Sequence, residues 1–540
     1  MPTQPHQPVR IQQVARELGL DPDCILPHGH HIAKIPINEL TARADQPDGE
    51  LILVTAMTPT PTGEGKTTCS IGLADALRRL GHRSAVCLRE PSLGPYFGVK
   101  GGGTGAGRAQ LYPAEDINLH FVGDMYSVSK ANNLLACMID NHLQWGNALD
   151  IDPRRIVWRR VIDLNDRALR EIFVGLGGVR HGVPRRDGFT ITPASEVMAM
   201  LCMARDYRDL GDRLAETVVG FTHKGKAVRA RDLKAEGAMQ VLLRDAIHPN
   251  LVQTLEGTPA FVHAGPFASI AQGTNSAIAT RMALKLADYV VTEAGFGSDL
   301  GAEKFVNIKC RSAGLAPRAA VIVATQKAVT YHSRNQDDGG LQNLAKHIDN
   351  VRTYGLRPVV AIPRFPDDTA AGIQAIVDFC AAKKVEAVPS QHFDHGGAGA
   401  TELAGAVLRA VGRARRGLSF TYELDQSIDH KIERVAKTIY GASGVDYDRA
   451  AVTDLQLLAQ SGFDRLPVCI AKTSRSLSDN SRLRGRPRRF RLNINELRLC
   501  AGAGFVVAIA GNIMTMPGLP AEPAAARIRV DDRGRVSGLS

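Results

Sequence analysis

LILVTAMTPTPTGEGKTT, residues 51–68, begins as a short apolar run and breaks at Pro59 and Pro61. A run containing Val, Ile and Thr reads as a buried strand. Thr60, Pro61, Thr62, Gly63, Glu64 and Gly65 then form a turn, and helical spacing follows from Thr67 to Leu80. Strand, glycine turn, Lys-Thr and helix in that order make a phosphate cradle. Glycines let successive backbone N–H groups point at phosphate oxygens, and the new helix aims its positive end at the same anion. Lys66 is placed to reach the β- and γ-phosphates, and the Thr67 hydroxyl to hold Mg²⁺. Thr60 stands where the usual motif has its first glycine, so the cradle is a deviant one. Residues 60–67 are the candidate ATP-binding set.

The neighbouring sequence fits this cradle into a parallel α/β sheet. Ser84 to Glu90 reads as a second buried strand, running into PSLGP and then GVKGGGTGAG at 98–107, a glycine loop that carries Lys100. Loops at the carboxyl ends of parallel strands form the ligand crevice, so Arg89 and Glu90 face the nucleotide or its acceptor. YVVTE, ending at Glu293, is a further buried strand followed by a glycine loop with Asp299. An acid there can contact Mg²⁺ beside the γ-phosphate, so Glu293 and Asp299 are metal candidates; for Asp299 a helix-capping role is an equal alternative. Strand-like runs recur at Ala319–Thr325, Pro358–Ile362 and Val385–Val388 with helices between them. Beyond about residue 410, Ser419–Leu424 reads as a strand and Ile428–Tyr440 as a helix, with strand ends at 469–473 and 501–505. Two amphipathic helical patches, at Ile11–Leu18 and His28–Arg43, precede the cradle. The fold class is α/β: a P-loop NTPase-type parallel sheet core with additional smaller α/β domains.

The 540 residues are enough to bury a large core without disulfides. Lys plus Arg is 66 against 55 Asp plus Glu, and the resulting charge of +11 favours anionic partners. That excess is diffuse except at RLRGRPRRFR, residues 482–491, which reads as solvated surface. The run has almost no aromatic interleaving, which argues against nucleic acid as a partner. Nine cysteines without a Cys-x-x-Cys pair suit reduced thiols. The histidines at 28, 30 and 31 lack the companions of a metal motif and read as surface residues. The N-terminus has no apolar secretory core, and Ala501–Ala510 is too short to span a bilayer. A soluble cytoplasmic protein, with no membrane partner, is the expectation.

Over nearly its full length the chain resembles formate–tetrahydrofolate ligase (10-formyltetrahydrofolate synthetase). TPTPTGEGKTT, LREPSLGP, PAEDINLHF, NLLACMIDNH, IDPRRIVWRRVIDLNDRALR, ASEVMAM, VTEAGFGSDLGAEKFVNIKCR, CAGAGF and TMPGLP carry the resemblance, in order. It implies ATP-dependent ligation of formate to tetrahydrofolate through formyl phosphate, giving 10-formyltetrahydrofolate, ADP and phosphate. It further implies Lys66 as the phosphate lysine, Arg89 as the grip on formyl phosphate, and Phe365 and Phe393 as the pterin stack. Mg²⁺, a monovalent cation (K⁺ or NH₄⁺) and a homotetramer come with the resemblance. Three domains are expected: 1–300 for the nucleotide with insertions, 301–415 contributing the folate pocket, and 416–540.

The chain departs from the family pattern on the folate side. Phe393 stands for Trp, Pro363 for Asn, Arg108 for Tyr, Tyr126 for His and Gln272 for His. Phe393 keeps a stacking face with less area, Pro363 loses a donor, and two imidazoles are gone. Two alternatives therefore stand beside the ligase. One is a paralogue using ATP and acyl-phosphate chemistry on another acceptor or acid; the other is a nucleotide-gated interaction protein without turnover.

Overall fold

The computed structural model describes residues 7–98, 102–267, 270–333, 338–414 and 417–538. The largest sheet among the described residues has 12 strands. Its principal members are β1 (Leu26–Pro27), β2 (Ala33–Lys34), β3 (Glu50–Ala56), β4 (Ser84–Leu88), β5 (Asn250–Thr254), β6 (Pro259–Val262), β7 (Tyr289–Glu293), β8 (Ala319–Val323), β9 (Arg357–Pro363) and β10 (Glu386–Ser390). They lie in the order β1-β2-β5-β6-β4-β7-β3-β8-β9-β10. From β6 to β10 all neighbours are parallel, and only the β1, β2 and β5 edge is antiparallel. A mixed, mostly parallel α/β sheet is therefore the core, and β3 with its glycine loop lies inside it.

β3 is apolar along its length because both sheet faces are covered. Leu51 and Leu53 pack into one buried cluster and Ile52, Val54 and Ala56 into the other, as the two-residue strand repeat demands. Burying each large member contributes about 1.5–3 kcal/mol. The helix Lys66–Arg79 covers one face with Ile71, Leu73 and Leu77, beside Leu403 and Val407 of the helix Thr401–Gly412. The helices Asp124–Gln144 and Gly339–Thr353 cover the other. β8, β9 and β10, from the 301–415 stretch, extend this same sheet: β8 pairs with β3, β9 with β8 and β10 with β9. The C-terminal stretch builds a separate sheet from β11 (Gly444–Tyr447), β12 (Val468–Ala471), β13 (Arg491–Cys500) and β14 (Phe505–Ala510), ordered β11-β13-β14-β12.

Two local expectations are corrected. Residues 28–34 belong to the β1–β2 hairpin, and helix appears only at Asn38–Thr41, because Ala33 and Lys34 pair with β5. Ser419–Leu424 is irregular and pairs with no strand among the described residues. Its polar groups are taken by side chains instead: the Thr421 N–H donates to Asn307 Oδ1 at 3.0 Å, and Tyr422 holds Val468 through its hydroxyl. All nine cysteines are free thiols. Among the described residues no helix is long and apolar enough to cross a membrane.

Candidate active site

The cradle's shape comes from a carboxylate inside it. Glu64 is buried, its Oε1 accepting from the Thr60 N–H at 2.6 Å and its Oε2 from the Thr325 hydroxyl just beyond β8. Gly63 and Gly65 have φ of +83° and +69°, a left-handed backbone that glycine adopts without a Cβ penalty. With the loop curled around Glu64, residues 61–63 and Gly65 face solvent at the start of the helix Lys66–Arg79. An exposed glycine loop thus opens directly onto a helix N-terminus, which suits an oxyanion.

Parallel register brings the other groups to the same end of the sheet. Glu293 closes β7 opposite Val54 of β3, and Thr292 pairs with Cys87 of β4, so Arg89 emerges at the same level. The Thr67 hydroxyl donates to Glu293 Oε2 at 2.6 Å, and Arg89 Nη2 lies 3.8 Å from Glu293 Oε1. Arg89 Nη1 also donates to the Pro266 carbonyl at 3.4 Å, which holds the guanidinium across the loop. Desolvation lowers the Lys66 ammonium, Glu293 and Glu64 counter that, and Arg89 lowers it further. Thr67 and Arg89 thus meet on the Glu293 carboxylate, and Lys66 lies within electrostatic reach of Glu293, Glu64 and Arg89.

Asp299 is not in this group. It is buried, and its Oδ2 accepts from Lys472 at 2.6 Å. Burial would raise its carboxyl, but the Lys472 ammonium beside it holds it below the ordinary range. Glu90 is also buried, and burial with Asp124 nearby pushes its carboxyl well up. Lys100 lies outside the described residues. No cluster of three or more His, Cys, Asp or Glu suited to a metal occurs among the described residues.

Phe365 and Phe393 are 45 % and 49 % exposed, high for phenylalanine. They follow the ends of adjacent parallel strands, since Pro363 of β9 pairs with Ser390 of β10. Two aromatic faces therefore stand at neighbouring strand ends, at the same carboxyl end of the sheet as the cradle. The glycine loop reaches them: the Arg108 N–H donates to the Phe393 carbonyl at 2.8 Å, and Gly107 lies so close that a Cβ would meet that oxygen at 2.3 Å. Of the departing residues, Arg108 and Pro363 thus border the aromatic pair. Tyr126 is exposed beneath the Lys130 ammonium, and Gln272 is buried with its Nε2 donating to the Thr274 carbonyl at 3.3 Å.

Sequence reasoning passed over several groups that shape the site. Thr325 closes the cradle, Pro266 orients Arg89, and Thr58 is gripped by His332 and His347 from 274 and 289 residues away. No local pattern marks such contacts.

Comparison with known proteins agrees with the resemblance. The family model described as Formate–tetrahydrofolate ligase matches residues 3–540. A relative of that name from Paracoccus denitrificans is 55% identical, over 99% of this chain and 98% of its own. Another, from Methylobacillus flagellatus, is 53% identical over 98% of this chain and 97% of its own. A third, from Allorhizobium ampelinum, is 54% identical over 98% of this chain and 97% of its own. With such coverage a divergent paralogue or a non-enzymatic switch is not favoured, and the chain belongs to the formate–tetrahydrofolate ligase family.

Proposed function

We propose that this chain ligates formate to tetrahydrofolate at the expense of ATP, giving 10-formyltetrahydrofolate, ADP and phosphate. The observation that carries the reading is the meeting of Lys66, Arg89, Thr67 and Glu293 at one strand-end layer, beside an exposed aromatic pair. A formate oxygen attacks the γ-phosphorus, the bond to the ADP oxygen breaks, and formyl phosphate forms. The folate secondary amine then attacks the formyl carbon, phosphate leaves with the C–O bond electrons, and the amine proton is lost. Splitting the acylation in this way replaces a poor leaving group with a good one.

The residues divide the work by their chemistry. Lys66 and the loop amides hold the terminal phosphates in line, where positioning and charge matter more than covalent help. The planar Arg89 guanidinium suits a two-point grip on the formyl phosphate anion. Phe365 and Phe393 flank the pterin. The Thr67 hydroxyl and the Glu293 carboxylate are a fitting donor set for Mg²⁺, which keeps several waters and needs few protein oxygens. When bound, that ion neutralises charge on the β- and γ-phosphate oxygens. Asp299, spent on Lys472, is left out of the set.

Activation by K⁺ or NH₄⁺, cytoplasmic residence and a homotetramer are proposed on the family resemblance. Nine free thiols support a reducing compartment. An exposed apolar cluster supports self-association: the Gln144 side chain binds the Val179 carbonyl, setting Trp145 beside the turn that carries Phe173, Leu176 and Val179. Light scattering on the purified chain reads its mass.

Purified protein with MgATP, formate and tetrahydrofolate is expected to form 10-formyltetrahydrofolate coupled to ADP release, and Lys66→Ala to abolish it with an unchanged melting temperature. Absence of the formylated folate in the wild-type reaction would end the ligase reading.

A further inference from the structure

The arginine-rich loop at 482–491, read from the sequence as solvated surface, is tied to the entry of the phosphate cradle. Thr58 stands between β3 and Pro59, and side chains from two helices hold each of its polar groups. Its N–H donates to Asn343 Oδ1 at 3.2 Å. Its carbonyl accepts from His332 Nε2 at 2.9 Å, and its hydroxyl lies 2.9 Å from Asn343 Nδ2 and 3.0 Å from His347 Nε2.

The same two side chains hold Gly485. Its N–H donates to His332 Nδ1 at 3.3 Å, and its carbonyl accepts from Asn343 Nδ2 at 2.7 Å. His332 and Asn343 each bridge one residue of the cradle entry to one residue of the arginine loop. A carbonyl takes only a donor, so His332 carries its proton on Nε2 and offers the Nδ1 lone pair to Gly485. Both ring nitrogens are committed, and only the neutral form fits. Burial pushes His332 and His347 down to about 4. The loop is held at two further points on the same helices: Arg484 lies over the Tyr331 ring at 4.3 Å, and Arg486 pairs with Asp349 at 3.6 Å.

We infer that His332 and Asn343 are positioning residues that carry the seating of the 482–491 loop into the phosphate cradle, so that the C-terminal segment sets ATP affinity. When one of two backbones leaves a buried side chain that satisfies both, the side chain is left with an unpaired polar atom and reorients to recover a partner, which weakens its hold on the other. Lifting the arginine loop therefore leaves His332 Nδ1 and an Asn343 N–H unpaired, shifts the two side chains on Thr58 and loosens the curl from Pro59 to Gly65, while Arg89 and the aromatic pair keep their own supports. The inference rests on residues 60–67 being the ATP site.

Gly485 is the point at which to test it. Its φ is +68°, and an added Cβ would lie 3.1 Å from the Gly339 carbonyl and 3.2 Å from that of His332, so Gly485→Ala displaces the loop. Calorimetric titration of the full chain with MgATP should show Kd raised about fivefold or more, the usual scale of coupling between sites. The KM for formate and kcat at saturating ATP should stay near wild type. Asn343→Ala should raise Kd as well, and adding Gly485→Ala to it should change Kd little further, because the bridge is already cut. His332→Gln, with no acceptor at the Nδ1 position, gives a second reading should Gly485→Ala not fold. Arg488→Ala, an exposed change on the same loop, should leave Kd unchanged. Unaltered ATP binding in Gly485→Ala or His332→Gln, with only a lower melting temperature, would overturn the inference. Failure of the wild type to bind MgATP would instead bring down the nucleotide reading beneath it.

Discussion

Gly72, on the helix that leaves the phosphate cradle, lies directly against His392, the residue before Phe393: an added Cβ would sit 2.5 Å from His392 Cβ. The ATP helix and the aromatic turn are therefore in backbone-close contact, and the glycine is what allows it. Ser390 Oγ and His392 Nδ1, 2.8 Å apart, fix the turn from the other side. The helix Lys66–Arg79 and the turn that carries Phe393 share one packed joint.

Gly72→Ala gains up to about 1 kcal/mol of helix propensity. The clash outweighs it, since overpacking a tight contact costs about 1–3 kcal/mol. The turn yields before the helix, so the KM for tetrahydrofolate should rise several-fold while the KM for ATP changes little. Steady-state kinetics with each substrate varied, beside a denaturation curve, checks both halves.

Arg89→Lys keeps the charge but loses the planar fork, and the shorter donor set cannot hold an anion at two points. ATP affinity should be nearly unchanged, while formate-dependent ADP release falls by roughly 10²-fold, the scale of one lost charge-stabilising donor. A fall in ATP affinity of similar size would move Arg89 into the nucleotide site.

Phe393→Ala removes one face of the aromatic pair. Stacking of a flat base on an aromatic ring is worth about 1–3 kcal/mol, so the KM for tetrahydrofolate should rise roughly tenfold or more. Phe393→Trp enlarges the face and should lower that KM. Product formation followed over a folate series decides it, with ATP held saturating.

Asp75 gives a pH prediction. It lies on the buried face of the helix Lys66–Arg79, its Oδ1 accepting from the Thr254 hydroxyl while its Oδ2 has no partner. Burial raises its carboxyl from 3.8 to about 7. The folded state therefore binds a proton that the unfolded chain has released between those values, so this group's contribution falls as pH rises from about 4 and levels off above about 7. Asp75→Asn should be nearly neutral at pH 4 and stabilising at pH 8, by about 1–3 kcal/mol. Urea titrations of both proteins at the two pH values test the sign; an equal difference at both would refute it.

The sequence by itself determined what local chemistry can write. An apolar run, two prolines, a Gly-Glu-Gly turn and a helical repeat specified β3, the cradle and the helix Lys66–Arg79, because backbone preference and short-range periodicity suffice there. The alternation of buried strands with helices gave the α/β sheet in the same way. Ser419–Leu424 shows where that reasoning stops: its composition suits a strand, but it pairs with no strand among the described residues, and Asn307 and Val468 claim its polar groups.

Tertiary structure alone decided which acid meets the cradle. Glu293 and Asp299 stand in one short segment and look equally fit for a metal. Register of β7 against β3 brings Glu293 to Thr67, whereas Lys472 from the far end of the chain claims Asp299. The two-sided grip of His332 and Asn343 on Thr58 and Gly485 was equally unreadable. Such contacts join residues hundreds of positions apart, and their energy depends on burial and hydrogen-bond geometry that exist only once the sheet has closed.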